Sequence, residues 1–348
     1  MDRRIKKRFN RENEKIQSYL RMKILHVTHH TGCKISIDYI CNSLGYNVET
    51  QRANWNYNVG KERANQIWEE YKDYYNSFDC IITSDTAPLS RIFLQNGFSK
   101  KLVIWVCNRF DYTDQASNDC GFPDPDFYEL FRKASFSPNV HIVSYTKFEH
   151  EYAKKYRNVH WGEEVFRPCN EIKNFSDDDF FPDGQKKSDV FLITRYHNDN
   201  YLLDLKAECD SRGIPNFRGE YNGPGDLYGI KGIIHIPYAW SNLALFENWS
   251  IGNVYLIPSK NFLLELSRNG NFFWSPPFDR DFIHSSEWYL PEHQDFFIYF
   301  DSFNHLKEVS GNKHLIQEKR NKVLEFSKNH SKKSILQWKK ILNDERFF

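Results

Sequence analysis

The chain reads as short apolar runs separated by longer segments in which apolar residues recur every three or four positions. MKILHVTH (22–29) predicts a strand, and TGCKISIDYICNSLGY predicts a helix ending near Gly45. NVETQRA predicts a second strand, and the next segment places Ile67, Trp68, Tyr71, Tyr74, Tyr75 and Phe78 at roughly helical spacing. DCIITSD, KLVIWVCN and HIVSYT read as strands, with SRIFLQNGF, DFYELFRKASF and FEHEYAKKY as the helices between and after them. Strands apolar on both faces that alternate with helices predict a parallel sheet covered on both sides.

The acidic, Pro- and Gly-containing stretch NEIKNFSDDDFFPDGQKK breaks the alternation and reads as a linker over 171–187. Strands then resume with DVFLITRY, IPNFRGE, IIHIPY, NVYLIPS and the later FFIYFDS. Between them NYLLDLKAECDSRG, DLYGIKG, SNLALFENWSIG and NFLLELSRNG read as helices, and another begins near His305. The expected class is α/β, with two facing Rossmann-like doubly wound domains. Their expected bounds are 22–170 and 188–310. A helical segment, 311–348, is expected to cross back onto the first domain, and a basic tail, 1–21, precedes everything.

A length of 348 residues suits two domains. The 47 basic and 46 acidic residues nearly cancel, so the whole chain has no electrostatic footprint for nucleic acid. The exception is MDRRIKKRFNRENEKIQSYLR, with eight Lys/Arg against three acids. It reads as a solvated tail, with peripheral contact to an anionic membrane surface as the alternative. No apolar run of about 18 residues is present to span a membrane. The charged start is unlike a signal peptide. Seven cysteines without a CxxC pair predict reduced thiols and a cytoplasmic protein. The 17% aromatic share suits cores and also clefts for ring-shaped ligands.

Ligands of open parallel sheets bind beyond the carboxyl ends of the strands. That rule selects His29–Gly32, Ser84–Thr86, Asn108–Asp111 and Ser144–Thr146 in the first domain. In the second it selects Arg195–His197, Arg218–Glu220 and Tyr238–Asn242. Within IIHIPYAWSNLALFENWSIGNVYLIPS (233–259), Ser241 is placed to cap a helix over 242–251. The free N–H groups of such a helix start suit a phosphate. Glu247 lies about one and a half turns further on, where a carboxylate can reach a vicinal diol such as that of ribose. Taken alone, Glu247 also reads as an ordinary solvated helix residue.

The run from the Ser-containing turn through LALFENWSIGNVYLIPS resembles the donor half of GT-B glycosyltransferases. In that family a helix bearing a glutamate, then a small residue and Gly, then an apolar strand ending near Pro-Ser, cradles a nucleotide-sugar. The resemblance implies that Glu247 holds the ribose hydroxyls and that Tyr238, Ser241 and Asn242 belong to the donor site. Ser241 and Asn242 would form the turn at the diphosphate, and Arg195 in FLITRYHN would neutralise it. The chain departs from the retaining, glycogen-synthase-like group at Ala239, where a second glutamate is usual, and at Asn200, where a lysine is usual. Retention and inversion both stay open.

Inverting transfer needs a base for the acceptor hydroxyl. Asp111, in VIWVCNRFDYTD, is the first choice, with Asp85 and His29 behind it. His30, Gly32, Asn108 and Arg109 are expected to bind the acceptor. The strings Asp124-Pro-Asp126, Asp177-Asp-Asp179 and Asp279-Arg-Asp281 follow no apolar strand directly and read as solvated turns. No cofactor or metal is therefore expected, and no GxGxxG or Walker loop appears. The resulting expectation is metal-independent transfer from a UDP- or GDP-sugar to a hydroxyl of a glycan or small acceptor. Alternatives are an inactive binding or assembly protein and a nucleotide-sugar epimerase of the same fold.

Overall fold

The computed structural model describes residues 22–53, 59–111, 124–171, 175, 178–193, 203–240, 242–268 and 280–344. The chain divides into two compact units. One comprises Met1–Cys169 with Lys333–Phe348, and the other comprises Asn170–Lys332.

In the first unit the elements run β1 (Ile24–Thr28), α1 (Thr31–Ser43), β2 (Val48–Arg52), α2 (Lys61–Asn76), β3 (Cys80–Asp85) and α3 (Arg91–Gln95). They continue with β4 (Lys101–Val106), α4 (Pro125–Ala134), β5 (Val140–Ser144) and α5 (Lys147–Arg157). The sheet order is β2-β1-β3-β4-β5, with every pair parallel. All of β1, β3 and β4 are buried, as strands covered on both faces must be. Helix starts follow local chemistry. Thr146 and Glu149 form a capping box on α5, and Asp124 caps α4 by accepting from Phe127 N at 3.0 Å. Asp124 also pairs with Arg91, so it has a cap's role in place of a free turn's.

The second unit holds β6 (Phe191–Ile193), α6 (Leu205–Asp210), β7 (Asn216–Phe217), β8 (Gly232–Ile234) and α7 (Leu243–Ser250). It continues with β9 (Tyr255–Pro258), α8 (Lys260–Arg268), β10 (Phe297–Phe300) and α9 (Phe303–Gly311). Its order, β7-β6-β8-β9-β10, is again wholly parallel and repeats the first unit's topology. Both sheets are therefore Rossmann-like and doubly wound, as the GT-B resemblance implies. In both, the order reverses between the first and third strands of the unit, which marks the crevice where such sheets take ligands.

Part of the expected linker is folded into the second unit. Phe181 stacks on Phe217 at 3.7 Å between centroids, and Lys187 is buried. The last helix, α10 (Lys313–Leu342), is divided between the units at Lys332 and Lys333. In the first unit Trp338 meets Trp105 and Phe166 edge-on. The buried Lys101 donates to the carbonyls of Ile341 and Leu342, both at 2.8 Å. Those are orphan carbonyls of a helix end, so the cation is neutralised where the helix dipole favours it. In the second unit Phe326 packs on Trp249 and Phe296.

Candidate functional site

In the first unit His29, His30, Gly32, Asp85 and Asn108 all follow or end strands at the carboxyl edge. His29 donates from Nδ1 to Ala53 O at 2.9 Å. His30 caps α1, its Nδ1 accepting from Gly32 N at 3.0 Å. Desolvation and then the Arg52 charge hold the His30 imidazole below its usual pKa, so it serves as a neutral acceptor. The Gly32 N–H expected to meet an acceptor is committed to that cap.

Asp85 is the most unusual group at this edge. Its backbone has φ +78°, a conformation costing on the order of 1–3 kcal/mol for a non-glycine residue and concentrated at functional sites. The side chain is 4% exposed, and Oδ2 has no hydrogen-bond partner among the described residues. Burial pushes the carboxyl up to about 7, and a hydrogen bond from Asn108 only partly offsets this. A carboxyl held near neutrality can exchange a proton in either direction. Asn108 is thereby tied to Asp85, and its Oδ1 accepts from Arg109 N at 3.0 Å.

Asp111, expected as the first-choice base, sits in a buried ion cluster. Arg109 Nε lies 3.1 Å from Oδ1, Arg157 Nε lies 2.5 Å from Oδ2, and the Tyr152 hydroxyl donates at 3.0 Å. With both oxygens engaged by two guanidiniums and the tyrosine hydroxyl, this carboxylate exposes no edge to a substrate. The expectation for Asp111 is therefore corrected to a structural one. Arg109, expected to bind the acceptor, is corrected with it, its Nε being committed to this pair. The cause is Phe110, which is buried against Phe127, Phe131 and Trp161 and draws the loop into the core.

In the second unit the N-cap of α7 is Asn242, whose Oδ1 accepts from Ala244 N at 2.9 Å. This corrects the cap expected at Ser241, a residue outside the described ones, as is Arg195. Asn242 Nδ2 reaches the Tyr238 hydroxyl at 3.4 Å, so two expected donor residues meet where β8 gives way to α7. Glu247, in the middle of α7, is half-buried and accepts from Asn170 Nδ2 at 2.9 Å. Burial pushes its carboxyl up to about 7.

Sequence reading missed Asn170, Tyr152, Arg157 and Trp288. The Trp288 indole donates to Ala239 O at 2.8 Å, and Ser286 Oγ donates to Trp240 O at 3.0 Å. These contacts join positions far apart in the chain, and no local spacing signals them. Among the described residues, no group of three or more His, Cys, Asp or Glu is arranged to hold a metal, and no helix is long and apolar enough to cross a membrane.

No protein-family profile matches the sequence, and no curated protein matches it. Among solved structures the chain is similar to the calicheamicin glycosyltransferase CalG4. That match has 9% identity and a TM-score of 0.46, covering 92% of this chain and 98% of that one. It is also similar to the DNA modifying enzyme beta-glucosyltransferase, solved with and without uridine diphosphoglucose. There the identity is 10% and the TM-score 0.43, covering 92% of this chain and 99% of that one.

Proposed function

We propose that the protein is a cytoplasmic glycosyltransferase that moves a sugar from a UDP- or GDP-linked donor to a hydroxyl of a glycan or small acceptor, without a metal. The observation that carries this reading is Glu247. It is a half-buried carboxylate on the helix that begins beyond the carboxyl end of β8, with Tyr238 and Asn242 joined at that helix's start. The second unit takes the nucleotide-sugar and the first takes the acceptor. Arg195 and the start of α7 bear the charge of the departing diphosphate.

For inverting transfer, Asp85 is the base. It removes the acceptor proton as the hydroxyl oxygen bonds to the anomeric carbon and the bond to the diphosphate breaks. His29 is the second choice. Binding without catalysis is a second reading, favoured by the commitment of Asp111 to its ion cluster. The test is product analysis with UDP- and GDP-sugars, with and without a panel of hydroxyl acceptors, in buffer containing EDTA. Acceptor-dependent product is expected. Acceptor-independent conversion of the sugar identifies an epimerase, and activity restored only by Mn²⁺ or Mg²⁺ overturns the metal-free step. UDP or GDP that stabilises the fold without any turnover supports the binding protein, since a ligand of the native state raises its apparent stability.

A further inference from the structure

Asn170 is the first residue of the second unit, and it reaches Glu247 across 77 positions of sequence. Its amide is used on one side only. Nδ2 donates to Glu247 Oε1 at 2.9 Å, while Oδ1 is buried without a hydrogen-bond partner among the described residues. A buried acceptor left unpaired carries a desolvation cost, so an apolar side chain would serve packing better. Flipping the amide would set Oδ1 against the carboxylate, so this orientation is the favourable one. What the amide supplies here is a single N–H aimed at a carboxylate.

A glutamate side chain loses much of its rotamer freedom when it is fixed. Without a tether, Glu247 pays that cost on meeting a ligand. With Oε1 held by Asn170, the carboxylate is already oriented. Oε2, which makes no hydrogen bond among the described residues, remains to accept one from a bound hydroxyl. An N–H donated to a carboxylate also favours its charged, accepting form.

Building on the donor reading above, we propose that Asn170 is a positioning residue that sets the sugar specificity of the nucleotide site. By holding Glu247 it makes the second unit select a ribonucleoside diphosphate over its 2′-deoxy counterpart. Asn170 does not touch the nucleotide and acts through Glu247.

The test is calorimetry on the full chain with UDP, GDP and their 2′-deoxy forms, for the wild type and Asn170→Ala. The wild type is expected to prefer the ribonucleotide by about tenfold or more, the scale of one hydrogen bond to a charged group. In Asn170→Ala the ribonucleotide should lose about tenfold in affinity while the 2′-deoxy form changes by less than about twofold, so the preference collapses. Asn170→Leu, close in volume and lacking the donor, carries the same comparison if the alanine variant does not fold. Equal losses for both nucleotides would show a merely structural role and overturn the proposal, as would an unchanged preference. A wild type that binds neither UDP nor GDP defeats the donor reading itself, an outcome distinct from failure of Asn170 alone.

Discussion

The two units share one sheet order but hold their key carboxylates in opposite ways. Asp85 is the last residue of β3, a short side chain on a strained backbone paired with Val106 of β4. Glu247 is a long side chain in mid-helix, held from outside by Asn170. A strand-end aspartate has few torsions and a set position, which suits proton transfer, where a small misplacement is costly. A helix glutamate has more freedom and suits a hydrogen bond to a ligand edge, provided something tethers it. On the proposed reading, one topology supports a rigid chemical group in one unit and a tunable recognition group in the other.

The largest effect expected from this contrast is in Asp85→Asn. Turnover should fall by about 10²–10⁴-fold, the usual worth of a positioned base, with UDP or GDP affinity unchanged. In the wild type kcat/KM should rise as pH increases through about 7, because the base must be deprotonated and burial has raised its pKa to that point. Stability runs the other way. A carboxyl whose folded pKa lies above its ordinary value binds its proton more tightly in the folded state. Its contribution is full below about 3.8 and is lost as pH rises through about 7. Thermal unfolding should therefore show the wild type losing stability between about pH 4 and 7, and Asp85→Asn losing less. Full activity in Asp85→Asn would return the role of base to His29.

Asp111 lies in the same unit, just past the neighbouring strand, and should behave differently. Asp111→Ala strands the buried guanidinium of Arg109 and the partly buried one of Arg157, which typically costs about 3–5 kcal/mol. Denaturant unfolding should register that loss, while the folded fraction keeps its nucleotide affinity. A variant of unchanged stability whose turnover drops a hundredfold would reinstate Asp111 as the base.

These two aspartates show what the sequence could and could not reveal. The strands were legible because β1, β3 and β4 are buried on both faces, and continuous apolar runs signal that directly. The strand-end loops were legible because a parallel sheet places them by rule. The ranking of Asp111 above Asp85 was not. Both follow apolar strands, and the difference lies in Tyr152 and Arg157, 41 and 46 positions further along. The cap at Asn242 in place of Ser241 is a one-residue shift between two good capping types, which composition does not decide. Boundaries failed where the chain bridges the units. The 171–187 stretch looks like a linker by composition, yet Phe181 and Lys187 are buried in the second unit.

The smallest expected effect belongs to Glu247, and it separates the units by readout. Glu247→Ala should weaken UDP or GDP binding by about 1–3 kcal/mol, the cost of leaving ligand hydroxyls unpaired. The fold should persist, because a half-buried helix residue is replaced by a good helix former. Charge sharpens the point. With Oε1 taken by Asn170, the deprotonated carboxylate accepts from a ligand hydroxyl at Oε2, whereas the acid can hold its proton on that oxygen. Wild-type nucleotide affinity should therefore rise as pH increases through about 7, where burial has placed the Glu247 pKa. Glu247→Gln should bind more weakly and with a flat pH profile. Asp85 titrates in the same window, so the two carboxyls overlap in any assay of turnover. Equilibrium binding separates them, because Asp85→Asn should leave the pH dependence of nucleotide affinity intact and Glu247→Gln should abolish it. If calorimetry finds the slope lost in Asp85→Asn and kept in Glu247→Gln, the division of labour between the units is the reverse of the one argued.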